Sequence, residues 1–286
     1  MPWWDRWIVK NPLKLWLSKK GWGNTTTPVT RFARARVEER SNNGGKITKT
    51  ADGDAAVDTS HPSRDILSRF QEAGTKDPEF MTPQRVLAVT VANIFAGSDT
   101  TAITLRAIFY NLLHHPSALQ KLRQELEDPE YDVFNDQGLA SWNKVRELPY
   151  LSAVIKEGLR CHPATGLSLE RMVPSTGLEI CGEFFPSGTI VGCNGWVIHR
   201  SKRVFGAQPE LFRPERWIEA TEAQRNEMNN CLFSFGAGNR SCIGKNISFL
   251  EMYKVVPALL HRFEVCVREM GCRITRCPAD LDVDQP

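Results

Sequence analysis

Between Met81 and His115 apolar residues recur at helical spacing, at Val86, Leu87, Val89, Ile94, Phe95, Leu105, Ile108, Phe109 and Leu112. Thr82 and Pro83 ahead of them supply an N-cap and a first-turn proline, and Pro116 ends the pattern while opening the next helix. The spacing predicts one mostly buried helix over 82–115. A second segment with the same period, over 149–161, follows Pro149 and carries Leu151, Val154, Ile155 and Leu159. Leu178 to Val197 behaves differently: short apolar runs alternate with Gly182, Pro186-Ser187-Gly188 and Gly192, which suits hairpins of a small sheet. Ser41 to Ser63 is rich in Gly, Asn, Thr, Asp and Ser and reads as a mobile connector.

Two stretches interrupt this pattern with chemistry. Within the long helix, Ala96 to Thr101 reads A-G-S-D-T-T, where a glycine costs about 1 kcal/mol against alanine and polar residues break an apolar surface. A Thr hydroxyl bonded to a carbonyl one turn back can open a helix and admit water, so the stretch reads as a proton-delivery site or, more plainly, as a kink in a core helix. The second stretch, Phe235 to Gly244, reads F-G-A-G-N-R-S-C-I-G and leads into a helix-like segment. Arg240 and a helix N-terminus both favour a thiolate at Cys242, and the glycines at 236, 238 and 244 let backbone lie against a flat ligand. Alone, the loop reads rather as a turn beside an inert buried cysteine, because the spacing by itself does not define a coordination site.

Phe235, Gly238, Arg240, Cys242 and Gly244 fill every fixed position of F-x-x-G-x-R-x-C-x-G, which resembles the haem-thiolate loop of the cytochrome P450 monooxygenases. The resemblance implies haem b, with Cys242 as axial ligand of the iron, Arg240 on a propionate, Phe235 shielding the proximal side, and Gly236 and Gly244 against the ring. It makes Asp99 a proton source and Thr100 the hydroxyl organising proton transfer to dioxygen. Arg171 is assigned a second propionate, and Thr165 to Leu169 the border of a hydrophobic substrate pocket. E-x-x-R occurs three times, at Glu157, Glu210 and Glu222; only Glu157-Arg160 lies on a helix followed by C-H-P and later by F-R-P-E-R-W. The family's order makes Glu157, Arg160 and Arg216 a buried structural triad. The fold implied is mainly α with small β-sheets (α+β), the C-terminal portion of the P450 fold. H-P-S-R-D-I-L-S-R-F, from His61, resembles filamentous-fungal members similar to pisatin demethylase, which implies secondary metabolism or detoxification.

Composition adds the surroundings. Residues 1 to 50 hold eleven Lys or Arg against three acids, and five of the eight tryptophans, Trp3, Trp4, Trp7, Trp16 and Trp22, lie there too. Residues 1–40 therefore read as a basic, Trp-rich helical segment, 41–62 as a flexible linker and 63–286 as the haem-binding core. Pro2 to Trp22 suits peripheral membrane contact or packing onto the body, and no nucleic-acid reading module accompanies the charge. Eight cysteines without a C-x-x-C pair argue for free thiols in a reduced, intracellular setting. No uninterrupted apolar run reaches the roughly 18 residues of a spanning helix, so no membrane anchor is expected, although the family is usually held at the endoplasmic reticulum. The expected partners are dioxygen, a hydrophobic small molecule and an NADPH-cytochrome reductase docking on cations such as Lys121, Arg123 and Lys245. Family members carry a further N-terminal half, so two other readings stay open: a truncated fragment unable to retain haem, and a reductase-independent haem isomerase or dehydratase.

Overall fold

A computed structural model describes residues 27–42, 65–268 and 271–276. The Trp-rich stretch 1–22 and nearly all of the connector 41–62 lie outside them. The chain divides into two compact units, 1–96 and 97–286.

In the first unit, α1 (Pro28–Asn42) and α2 (Ile66–Lys76) are joined at one point by charge. Asp65 caps α2 by accepting the Ser68 N–H at 2.7 Å, and the same carboxylate pairs with Arg40 of α1. These contacts and the Ser68 N–H hold its carboxyl below the usual range, although burial opposes them. The unit also holds the first turns of α3 (Pro83–His114), whose start at Pro83 follows from Thr82 accepting the Arg85 N–H.

α3 runs unbroken through A-G-S-D-T-T into the second unit. By length and composition it could cross a membrane, which corrects the expectation that nothing in the chain qualifies. Asp99 and the threonines break every uninterrupted run, yet the average over 18 residues stays apolar. Only 17% of that window is buried, which corrects the expectation of a mostly buried helix: apolar side chains such as Phe95 and Tyr110 stand exposed on α3.

The second unit continues with α4 (Pro116–Glu127), α5 (Trp142–Val145) and α6 (Pro149–Cys161). Its main core joins Ile108 and Leu112 of α3, Leu122 and Leu126 of α4, and Leu151, Val154 and Ile155 of α6. Met252, Val256 and Leu260 of α11 (Lys245–Arg262) complete it. Each such side chain contributes roughly 1.5–3 kcal/mol by leaving water. Gly158 is what lets α6 lie this close to α3: a Cβ there would fall 2.4 Å from Ile108 Cγ1.

Helices dominate, and the strands are short. β1 (Leu169–Met172) pairs antiparallel with β4 (Ile190–Cys193), and β2 (Leu178–Ile180) with β3 (Glu183–Phe185). The β2–β3 turn places Cys181 at φ 54° and Gly182 at φ 84°, the two left-handed residues of a tight hairpin. The hairpin region ends before Val197, because Asn194 accepts the Trp196 N–H at 2.9 Å and starts a helical turn, α7 (Gly195–Ile198). Then come α8 (Lys202–Phe205), α9 (Glu215–Glu219) and α10 (Glu222–Asn230). Two 3-10 turns, Phe233–Phe235 and Gly238–Arg240, follow before α11, and β5 (Phe263–Arg268) with β6 (Gly271–Arg276) closes the described residues.

Candidate functional site

The site is built outward from α6, a helix buried over most of its length. Its N-terminus is capped from α4: Glu125 accepts the N–H groups of Tyr150 and Leu151 at 2.7 and 2.8 Å. Burial outweighs those two bonds and holds the Glu125 carboxyl above its ordinary range.

Near the other end of α6, Glu157 and Arg160 are both wholly buried. Glu157 accepts from Arg160 Nε at 2.9 Å and Nη2 at 2.8 Å, from Arg216 Nε at 2.9 Å, and from the Trp217 indole at 2.9 Å. The Arg213 backbone N–H adds a fifth donor at 2.9 Å. The structure thus brings Glu157, Arg160 and Arg216 together, while Glu210 and Glu222, which head the other two E-x-x-R runs, lie outside the cluster. Burial opposes the charged form of Arg160, but the Glu157 bonds and charge outweigh it and raise its pKa. Two guanidiniums share one carboxylate, and backbone carbonyls take the surplus charge: Arg160 donates to His199, Pro209 and Leu211. Arg216 does the same with Phe205, Gln208 and Leu211.

An α-helix ends with four carbonyls lacking helical partners, and in a buried helix each needs a donor. Gly158 O takes the last helical bond, from the His162 N–H at 3.0 Å, and the first carbonyl beyond it, Leu159 O, accepts from the Ser234 hydroxyl at 2.7 Å. Arg160 O accepts from the His199 ring at 3.0 Å and Cys161 O from Arg200 at 3.3 Å. Ser234 belongs to the 3-10 turn directly before the cysteine loop, so capping α6 also anchors that loop. The loop closes on itself through Cys242 N–H to Phe235 O at 2.8 Å. Gly236 and Gly238, at φ 67° and 66°, supply the left-handed backbone that this closure requires.

Cys242 is exposed and lines a cavity of about 220 Å³ together with Arg240, Phe235 and Gly236. The opposite wall is α3, through Thr100, Thr101 and Thr104, and Leu159, Ala164, Thr165, Leu169 and Met252 add a largely apolar lining. The Thr104 hydroxyl, just beyond A-G-S-D-T-T, donates to the Thr100 carbonyl one turn back at 2.9 Å, and the helix stays unbroken. Thr101 and Ser248 exchange a hydrogen bond at 3.2 Å, tying α3 to the first turn of α11.

Other expected residues stand farther off. Asp99 is exposed on α3 and not among the cavity-lining residues, and a Cβ on Gly97 would meet no atom within 4 Å. Arg171 shares a face of β1 with the cavity-lining Leu169, but its guanidinium donates to Glu170 O at 2.7 Å. Gly244 backs the thiol, its would-be Cβ lying 3.8 Å from Cys242 Sγ. Among the expected docking cations, Lys121 pairs with Glu215 at 2.6 Å and Arg123 reaches Phe263 O, while Lys245 lies over the Phe235 ring at 6.0 Å. Sequence reasoning missed Trp217, His199, Ser234 and Ser248; W of F-R-P-E-R-W offered a signal for the first, and the other three carried none.

The family model described as Cytochrome P450 matches residues 26–277. The chain belongs to the cytochrome P450 family. This P450 chain is 48% identical over 265 residues to a protein of Aspergillus terreus named cytochrome P450 monooxygenase, covering 93% of this chain and 51% of that protein. It is 40% identical over 277 residues to cytochrome P450 monooxygenase cicH of Emericella nidulans, covering 94% and 50%. Pisatin demethylase of Fusarium vanettenii is 48% identical over 185 residues, covering 65% of this chain and 34% of the demethylase. The P450 chain therefore spans about half the length of the curated relatives it matches. Membership implies a haem cofactor.

Proposed function

We propose that the protein acts as a haem-thiolate monooxygenase, inserting one oxygen atom from dioxygen into a hydrophobic small molecule. Haem b is its cofactor and an NADPH-cytochrome reductase its electron donor. The observation that carries this reading is the shared cavity, in which the Cys242 thiol, the Arg240 guanidinium and three threonines of α3 line one space. The donor set fits a haem: an exposed soft thiol for the iron, an arginine two residues away for a carboxylate, and apolar Leu159, Leu169 and Phe235 for the ring. When bound, the haem supplies the redox chemistry, in which two electrons and two protons reduce dioxygen so that one oxygen enters a substrate C–H bond and the other leaves as water.

In this reading Cys242 ligates the iron as a thiolate, Arg240 holds one propionate and Phe235 covers the thiolate side, with Gly236 and Gly244 leaving the ring room. Arg171 turns from Glu170 O to a second propionate. Thr100, at the cavity wall, holds a proton that Asp99 receives from solvent on the exposed side of the same helix. Glu157, Arg160 and Arg216 keep the frame beneath the loop and touch no reactant. Ala164, Thr165 and Leu169 favour an apolar substrate. The names of the relatives support the same reaction class and, with pisatin demethylase, fungal secondary metabolism or detoxification as its setting.

The test is the carbon monoxide difference spectrum of the reduced chain expressed with haem precursor, beside Cys242→Ala. The expected result is a far red-shifted Soret band in the first and its loss in the second; a chain that binds no haem, or an unchanged band in Cys242→Ala, overturns the reading.

A further inference from the structure

A buried imidazole with no part in the chemistry above joins the charge cluster to the cysteine loop. His199 is wholly buried at the end of α7, and both ring nitrogens are engaged. Nε2 lies 2.8 Å from the Phe233 N–H and Nδ1 lies 3.0 Å from Arg160 O. A backbone N–H can only donate, so Nε2 carries the lone pair and Nδ1 the proton, which it gives to Arg160 O. Only the neutral ring can accept at one nitrogen and donate at the other, and burial pushes the pKa down to about 4.

The grip is reciprocal, since Arg160 Nη1 donates to the His199 carbonyl at 2.9 Å. The plane of the ring is bounded by Phe205, edge-on at 6.2 Å and 77°. Beyond the ring, Phe233 opens the turn whose last residue, Phe235, accepts the Cys242 N–H at 2.8 Å. Two hydrogen bonds and one short turn therefore separate the imidazole from the backbone of the cysteine. Ser234 fastens the same turn to Leu159 O at 2.7 Å, so the turn is held at two neighbouring points, which fixes its rotation as well as its distance from α6.

We infer that His199 is a positioning residue, a clamp whose imidazole spans the last turn of α6 and the Phe233 amide and thereby sets the loop that carries Cys242. Its expected signature is asymmetric, because the two nitrogens have separate mimics. Asn at 199 offers an N–H near the Nδ1 position and cannot reach Phe233; Gln offers an acceptor near the Nε2 position.

The experiment is amide hydrogen exchange of the whole chain, read by mass spectrometry over 233–242 and over 149–158, for wild type, His199→Asn, His199→Gln and Ser234→Ala. Losing one such hydrogen bond is expected to speed exchange at 233–242 about tenfold in His199→Asn, with 149–158 unchanged and His199→Gln within about twofold of wild type. Ser234→Ala marks how far the other tether alone loosens the turn. Equal behaviour of the Asn and Gln variants overturns the clamp, and so does exchange that rises equally in both segments, which marks an ordinary core histidine. A second readout rests on the proposed function: in haem-loaded protein the red-shifted carbon monoxide band is expected to shrink in His199→Asn and to persist in His199→Gln. If wild type binds no haem, that reading fails while the exchange comparison still decides the clamp.

Discussion

Replacing Glu157 by Gln keeps the shape of the side chain and removes its charge, which makes it the sharpest test of the buried cluster. The carboxylate accepts five hydrogen bonds, two on Oε2 and three on Oε1. Whichever way a glutamine amide is turned, its NH2 faces donors, either Arg160 Nε with the Trp217 indole, or Arg160 Nη2 with Arg213 N–H and Arg216 Nε. Both guanidiniums are also left buried without the carboxylate charge, with one amide oxygen and backbone carbonyls as their acceptors. Removing one member of a buried ionic network typically costs roughly 3–5 kcal/mol, against roughly 5–15 kcal/mol for the stability of a whole domain. At a urea slope of about 2 kcal/mol per M, the unfolding midpoint should fall by about 1.5–2.5 M. Equilibrium urea unfolding followed by far-UV circular dichroism measures it, with Glu147→Gln as control, since the Arg146–Glu147 pair at 3.0 Å is exposed and should leave the midpoint where it is. A shift below about 0.5 M with an unchanged slope would refute the argument that this carboxylate neutralises the cluster.

Gly158→Ala gains up to about 1 kcal/mol of helix propensity but drives a Cβ to 2.4 Å from Ile108 Cγ1, and overpacking at roughly 1–3 kcal/mol should win; thermal unfolding should show a lower midpoint, and the loss in Gly158→Ala/Ile108→Ala should be smaller than the sum of the two single losses. His199, with its pKa lowered to about 4 by burial, binds a proton more readily when unfolded, so stability should fall as pH drops from about 6.5 toward 4, by up to about 3 kcal/mol. Urea midpoints at pH 7.5 and 4.5 should show a smaller drop in His199→Gln than in wild type. Burial pushes the Cys161 thiol up to about 11, aided by the Glu157 charge, so alkylation at pH 8 with peptide mapping should label exposed Cys181 and Cys193 and spare Cys161. Thr100→Ala, in haem-loaded protein supplied with NADPH and reductase, should lower product formed per NADPH consumed; an unchanged ratio removes Thr100 from proton delivery.

The parts of this fold that were legible in the sequence are those whose signal is local. Pro83, Pro116 and Pro149 mark helix starts that apolar spacing then carries for three turns or more, and the observed limits of α3 and α6 differ by a residue or less from those expected. The cysteine loop was legible because Gly236 and Gly238 supply left-handed backbone that other residues adopt at a cost. Long-range pairings left no such trace. E-x-x-R at Glu157 is indistinguishable by spacing from the same pattern at Glu210 and Glu222; what separates it is burial, together with Arg216 and Trp217 some sixty residues downstream. His199 and Ser234 fall in the same class, since a lone histidine and a lone serine acquire meaning only when the end of α6 is brought against them.

That helix end explains why charge and loop geometry meet here at all. A buried C-terminus presents four carbonyls and the negative end of the helix dipole, so it needs donors and favours nearby positive charge. Arg160, on the last turn, answers the second need, and Glu157 one turn earlier keeps Arg160 from being a lone buried cation. For Leu159, Arg160 and Cys161 the carbonyl demand is met by Ser234, His199 and Arg200, which come from two separate segments. Any one of these donors would satisfy a carbonyl equally well from elsewhere in space. Drawing Ser234 directly, and Phe233 through His199, from the turn that precedes Gly236 makes one set of hydrogen bonds serve twice, completing the helix and fixing where Cys242 faces the threonines of α3.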